Sequence, residues 1–143
     1  MKYAIKYGLQ PADRIIEPIF ATGFSKHHAL YLGMDHQGTE WIAENYKFNG
    51  VRLVKANEFF LKGKLIKVRK FKGSYQERMY AVQRALSLLG KSYDLIDFNC
   101  EHYAEYVQNG KPQSEQVNQV MGALKFAAAA VLIVGLVNII VNE

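Results

Sequence analysis

Apolar and polar positions in the first half of the chain follow the short period of strands. After about residue 74 they switch to a three-to-four-residue repeat. Five stretches predict strands. Asp13–Phe20 (DRIIEPIF) is apolar and β-branched, with Pro18 marking an edge or a strand end. His27–Met34 (HHALYLGM), Thr39–Tyr46 (TEWIAENY), Val51–Val54 and Lys64–Phe71 follow, with turn residues at Asp35–Gly38 and Asn49–Gly50. The Asn-Gly pair predicts a tight hairpin, because both residues tolerate positive φ.

The helical part opens with Ser74-Tyr75-Gln76-Glu77, a capping box in which serine and glutamate each satisfy an orphan amide. Met79, Val82, Leu86 and Leu89 form one apolar stripe, and Gly90 supplies the stop. A second helix is expected from Asn99 to near Gly110. There Cys100, Tyr103, Ala104 and Val107 share a face, and Glu101, Glu105 and Gln108 point away. Strands followed by helices predict an α+β domain: an antiparallel sheet with helices on one side.

Composition adds little to this picture except at one residue. A chain of 143 residues fits one domain. Its net charge of +5 is scattered apart from the run Lys62–Lys72, which speaks against nucleic-acid binding. That run reads as a strand with a solvated cationic face, or alternatively as a surface that attracts lipid head groups. A single cysteine excludes an intrachain disulfide and a multi-thiolate metal site, and suits a reducing, intracellular setting. The first residues contain no apolar stretch of signal-peptide length, so secretion by that route is not expected.

That cysteine sits where it has chemistry to offer. Asn99 is a good N-cap, which puts Cys100 at the first helical position, where the helix dipole and backbone amides favour a thiolate. The same amides would suit the oxyanion of a tetrahedral intermediate, although a buried small hydrophobe also packs well there. A nucleophile needs a base, and the adjacent His27 and His28 face opposite sides of a strand, so only one faces the core. Glu44 and Asn45 end the next apolar strand and are placed to orient the imidazole.

A histidine on an early strand, a polar residue on the next and Asn-Cys-Glu-His at a helix start resemble the lecithin–retinol acyltransferase-like family. That family is a circularly permuted relative of the NlpC/P60 papain-like enzymes. Leu9-Gln10-Pro11-Ala12-Asp13-Arg14-Ile15 is similar to its opening Pro-Gly-Asp segment, with Ala12 where glycine is usual. His27-His28-Ala29-Leu30-Tyr31-Leu32-Gly33 is similar to its base strand, and Tyr93-Asp94-Leu95 with Asn99-Cys100-Glu101-His102-Tyr103 to its nucleophile block.

The resemblance continues through Tyr106–Lys111 and Ser114–Val117, a layout similar to the phospholipase A/acyltransferase branch. It implies Cys100 as nucleophile and His27 as base, on a permuted papain-like fold with no metal or organic cofactor. The branch carries a second histidine where this chain offers Glu44 or Asn45; aligning Ile42-Ala43 with the family's aliphatic pair favours Glu44. His102, at the third helical position, is expected to cap or to pack.

The chain ends in Phe126–Val141 (FAAAAVLIVGLVNIIV), uncharged and with Asn138 as its one polar residue. At about 1.5 Å per residue this stretch spans roughly 24 Å, and about 31 Å if it starts at Met121 and Lys125 snorkels. A membrane anchor over 126–141 is therefore expected, after a catalytic domain at 1–113 and a connector at 114–125. The positive charge before it places that domain in the cytoplasm. The expected activity is acyl transfer or hydrolysis at a phospholipid ester in the membrane. A thiol amidase or peptidase, and a non-catalytic membrane-remodelling module on the same fold, are the alternatives.

Overall fold

The computed structural model describes residues 2–19, 25–62, 66–111, 114, 117–119 and 121–122. The chain divides into two units, Met1–Gln113 and Ser114–Glu143. The apolar stretch 126–141 lies outside the described residues, as does most of the expected connector. No helix among the described residues is long and apolar enough to cross a membrane. In the second unit Ser114 Oγ accepts from the amide of Val117 at 3.2 Å.

The first unit is a five-stranded antiparallel sheet with helices, an α+β fold. Its strands are β1 (Arg14–Pro18), β2 (Lys26–Met34), β3 (Glu40–Tyr46), β4 (Gly50–Lys55) and β5 (Lys67–Arg69), in the order β4-β3-β2-β1-β5. Pro18 closes β1, a strand with neighbours on both sides, so it marks the strand's end rather than a sheet edge. The expected β3–β4 hairpin forms, but its turn covers residues 47–49 rather than Asn49–Gly50: Gly50 already pairs with Tyr46, and of the Asn-Gly pair only Gly50 takes positive φ, at 66°. A Cβ there would lie 2.3 Å from the carbonyl oxygen of Lys91, so glycine is required twice over. In β5, Lys67 and Arg69 are exposed and Val68 half-buried, as a solvated cationic face requires.

Helices cover both faces of the sheet, where one side was expected. On one face lie α3 (Tyr75–Ser87) and α4 (Cys100–Asn109). Their Ala81, Ala85, Tyr103 and Val107 pack with Leu30, Ala43, Val51 and Phe98. The other face buries Ile15, Ala29, Tyr31 and Ile42 under two short helices, α1 (Tyr3–Tyr7) and α2 (Ala56–Phe59), and the 3-10 turn Phe60–Lys62. Tyr3 stacks on Phe60 at 4.7 Å and Tyr7 meets the same ring at 5.0 Å.

The predicted apolar stripe of α3 is also corrected. Its buried residues are Ala81 and Ala85, while Leu86 and Leu89 are exposed. Small side chains let α3 approach α4 closely enough for Tyr103 to donate its hydroxyl to the carbonyl of Ala85 at 3.1 Å. The capping box at Ser74 and Glu77 forms as expected.

Asp13 and Arg14, side by side at the start of β1, are buried ions that tie the elements together. The Asp13 carboxylate accepts from the amides of Gln10 and Phe71, from Arg78 at 2.9 Å and from Lys70 at 3.1 Å. Burial alone would raise its pKa, but these donors, Arg78 foremost, hold it below the ordinary carboxylate value. Arg14 bonds Glu105 at 2.8 Å and Gln108 at 3.0 Å, which draws the polar side of α4 inward. Glu101, expected to point to solvent, is buried too. Ala12, at the glycine position of the resembled motif, has φ of 69° and a fully buried side chain.

Removing the Asp13 carboxylate leaves the amides of Gln10 and Phe71 without this acceptor and takes the buried anion from beside Arg78 and Lys70. Asp13→Ala is expected to cost about 3 kcal/mol of unfolding free energy, read as a lower urea midpoint. An unchanged midpoint would show that the other contacts of β1 suffice.

Candidate active site

The first residues of β2, the last of β3 and the start of α4 converge at one end of the sheet. Asn99 begins α4: its Oδ1 accepts from the amides of Glu101 at 2.9 Å and His102 at 3.0 Å. His102 completes the cap by accepting the Asn99 amide at Nδ1, as expected of it. The cap also corrects one expectation. The Glu101 and His102 amides are engaged by Asn99, so of the first three amides in α4 only that of Cys100 stands outside the cap.

Cys100 is buried, its sulfur 3.8 Å from the carbonyl of Lys26, and its side chain hydrogen-bonds His27. The Nε2 atom of His27 lies 2.6 Å from Glu44 Oε2, which leaves Nδ1 to face the sulfur. The register explains the pairing. Ala29 lies opposite Glu44, so His27, two residues back along β2, projects from the same face beside the carboxylate. Asn45 projects from the other face, where its Nδ2 donates to the carbonyl of Phe98 at 2.7 Å. The structure therefore brings Cys100, His27 and Glu44 together, and directs Asn45 to the backbone two residues before Cys100.

His28 is separated from this group. It lies buried under α4, with Nδ1 3.4 Å from an Arg14 nitrogen. Burial first, and then the positive charge of Arg14, push its pKa down to about 4, so it is neutral near pH 7.

Arg52 completes the site and was missed in the sequence. It donates to Glu44 Oε1 through Nε at 2.8 Å and Nη2 at 2.6 Å, while its guanidinium lies 4.5 Å from the centre of the Tyr46 ring. One carboxylate thus bridges arginine and imidazole. Its burial would raise the Glu44 pKa, but His27 and then Arg52 outweigh that and keep it ionised. Burial would lower the pKa of His27, yet its bonds to Cys100 and Glu44 raise it from 6.5 to about 9. The expected Asn49–Gly50 turn would have set Arg52 opposite Lys47; the turn over residues 47–49, with Gly50 opposite Tyr46, sets it directly across from Glu44.

These side chains line a cavity of about 530 Å³ walled also by Glu17, Ile19, Tyr46, Lys47, Val54, Glu58, Phe59 and Tyr93. Burial and then the negative charge of Cys100 raise the Tyr93 phenol pKa, which places the two groups within electrostatic reach. Among the described residues no cluster of histidine, cysteine and acidic side chains is suited to a metal ion.

A family model described as permuted papain-like amidase enzyme, YaeF/YiiX, C92 family, matches residues 7–107, well over half the chain. The chain belongs to this family. The match takes in Cys100, His27, Glu44, Asn45 and Arg52. A second likeness is to phospholipase A and acyltransferase 3 of Mus musculus. It is 33% identical over 64 residues, 43% of this chain and 40% of the mouse protein, so the chain matches less than half of that relative's length. The resemblance to the lecithin–retinol acyltransferase-like family and its permuted papain-like relatives is thus borne out. Membership makes residues 7–107 a permuted papain-like domain.

Proposed function

We propose that the protein is a thiol acyltransferase and phospholipase A acting on glycerophospholipid esters. The observation that carries this reading is His27 bonded at once to Cys100 and to Glu44 at the wall of one cavity. The sulfur of Cys100 bonds to the ester carbonyl carbon, and the C–O bond to the glycerol oxygen breaks. His27 holds the thiol proton and delivers it to the leaving alkoxide. Glu44 orients the imidazole and stabilises its cationic form, and Arg52 holds the carboxylate in place. The Cys100 amide, outside the cap, and the Tyr93 phenol in the cavity wall serve as donors to the developing oxyanion. Water or a second acceptor then takes the acyl group from the thioester, its proton passing back to His27.

A lipid substrate is supported by the mouse phospholipase A and acyltransferase 3, and by Ile19, Val54 and Phe59 in the cavity wall. The apolar stretch 126–141 supports it as a pattern in the sequence: an anchor there holds the catalytic unit on the cytoplasmic face, where lipid esters are concentrated. The second reading, a thiol amidase, is favoured by one observation, the amidase description of the matching family.

Incubation with phosphatidylcholine liposomes is expected to add one acyl mass to Cys100, read by intact-protein mass spectrometry. An adduct from an N-acyl amide and none from the liposomes would favour the amidase. The adduct rate should fall as pH rises through about 9, where His27 loses the proton the leaving group needs. Stability follows the same sign. The folded pKa lies above the unfolded one, so the contribution of His27 is complete below about 6.5 and is lost as pH rises through about 9. A rate flat from pH 7 to 10.5 would remove His27 as the proton donor.

A further inference from the structure

Three segments contribute residues to the cavity wall, and each carries exposed apolar side chains at or near them. Ile19, in the β1–β2 connection, lines the cavity and is 45% exposed. Phe48, in the β3–β4 hairpin next to the cavity residue Lys47, is 73% exposed. Leu95 and Ile96, between the cavity residues Tyr93 and Cys100, are 70% and 58% exposed. Burial of such side chains is what folding ordinarily achieves, so four of them at or close in sequence to cavity-lining positions suit a surface that meets a partner.

Two of these segments, the hairpin and the stretch before α4, are tied down by hydrogen bonds. The hairpin and the segment before α4 are joined by hydrogen bonds from the Val51 amide to the Lys91 carbonyl and from the Gly90 amide to the Val51 carbonyl, each 2.9 Å. Asp94 and Phe98 exchange backbone hydrogen bonds at 3.0 and 3.1 Å, and the Asp94 carboxylate accepts the Ile96 and Asp97 amides. This closed turn fixes Leu95 and Ile96 on the surface. Exposed lysines accompany the apolar tips. Lys47 Nζ lies 4.6 Å from the Phe48 ring centre, and Lys91 Nζ lies 3.9 Å from that of Phe98. Neither lysine is in an ion pair among the described residues.

We propose that this rim is a phospholipid-docking surface. Phe48, Leu95 and Ile96 enter the acyl-chain boundary, and Lys47 and Lys91 sit at the level of the phosphates. The inference rests on the lipid reading above and adds to it the surface through which substrate arrives. Apolar tips with adjacent cations match a bilayer, whose anionic phosphates overlie hydrocarbon. Ile19 lines the cavity, and Phe48 and Leu95 lie within two residues of the cavity residues Lys47 and Tyr93, so an ester drawn from the bilayer has a short path to Cys100. A protein seated there would cap the opening instead.

The test uses the full chain and vesicles of phosphatidylcholine and phosphatidylserine with brominated acyl chains, which quench tryptophan on contact. The native tryptophan, Trp41, stands at the opposite end of β3 from Glu44 and serves as the reference. Leu95→Trp should be quenched several-fold more deeply than wild type. Quenching no deeper than that of Trp41 would overturn the proposal and leave a protein partner as the occupant. The combined variant Phe48→Ser, Leu95→Ser, Ile96→Ser should lose about tenfold or more in acylation from vesicles, and keep its rate on a dispersed short-chain ester. An unchanged vesicle rate, or an equal fall on both substrates, would overturn it. Deep quenching of Leu95→Trp with no acyl adduct from vesicle lipid would retire the lipid-ester reading and keep the surface.

Discussion

Cys100→Ser is expected to abolish acyl-adduct formation and lower turnover by about 10⁴-fold or more, with the fold intact. The substitution is nearly isosteric, and the contacts at this position are undemanding: the carbonyl of Lys26 at 3.8 Å and the ring of His27. The chemistry is not equivalent. A serine hydroxyl holds its proton far more tightly than a thiol, and an imidazole geared to a sulfur nucleophile removes it poorly. His27→Ala tests the other half of the pair, and slower iodoacetamide labelling of Cys100 at neutral pH is the expected result. That variant should remain folded, because Arg52 still satisfies the Glu44 carboxylate through two hydrogen bonds. Equal labelling rates in wild type and His27→Ala would dissolve the pair. Near-UV circular dichroism separates lost chemistry from lost structure in both.

Elements whose signals are local were legible before any coordinates. The capping residues Ser74 and Asn99, the turn residues before β4 and the β-branched runs each act within a few residues, and the strands and long helices stand close to where they predict, although the turn itself falls at residues 47–49. Helix α1 was not legible, because its support comes from elsewhere. The amides of Tyr3 and Ala4 are capped by the two oxygens of Glu40, at 2.8 and 2.7 Å, from the start of β3. Its tyrosines gain their stacking partner, Phe60, only once β4 and α2 are in place. The inner face of α3 was misread for a related reason. Periodicity weights large apolar residues, whereas a helix pressed against another buries its smallest ones, here Ala81 and Ala85.

The same division runs through the site. Cys100 at a helix start and a histidine on an early strand are statements about local sequence, and both positions were read directly. The buried polar side of α4 was not, because Glu105 and Gln108 turn inward only for Arg14, an ion buried on a strand far away in the chain. The choice between Glu44 and Asn45 needed register. Adjacent residues on a strand face opposite ways, and pairing with β2 and β4 decides which one meets His27 and which meets Phe98.

Glu44→Gln is the substitution that decides the third position, and it is expected to slow acylation by about 10²–10⁴-fold. The glutamine fills the same volume but has one acceptor oxygen in place of two. In wild type Oε2 meets His27 at 2.6 Å and Oε1 takes both Arg52 donors at 2.8 and 2.6 Å. An amide turned to satisfy Arg52 presents its NH2 to His27 Nε2, which favours the tautomer with its proton on Nδ1, facing the sulfur. An amide turned to satisfy His27 presents that NH2 to a guanidinium. Either way the negative charge that helps raise the His27 pKa to about 9 is gone, so the basic limb of the rate should move down towards 6.5. That shift separates a lost orienter from a loosened fold. Asn45→Ala should behave differently, because Asn45 supports the Phe98 carbonyl rather than the imidazole. It is expected to cost about 1–2 kcal/mol of stability and to leave the basic limb near 9. A large rate loss with a displaced limb in Asn45→Ala, beside a near-normal Glu44→Gln, would transfer the orienting role to Asn45. A normal limb and rate in both would mean that His27 is oriented by something other than either side chain.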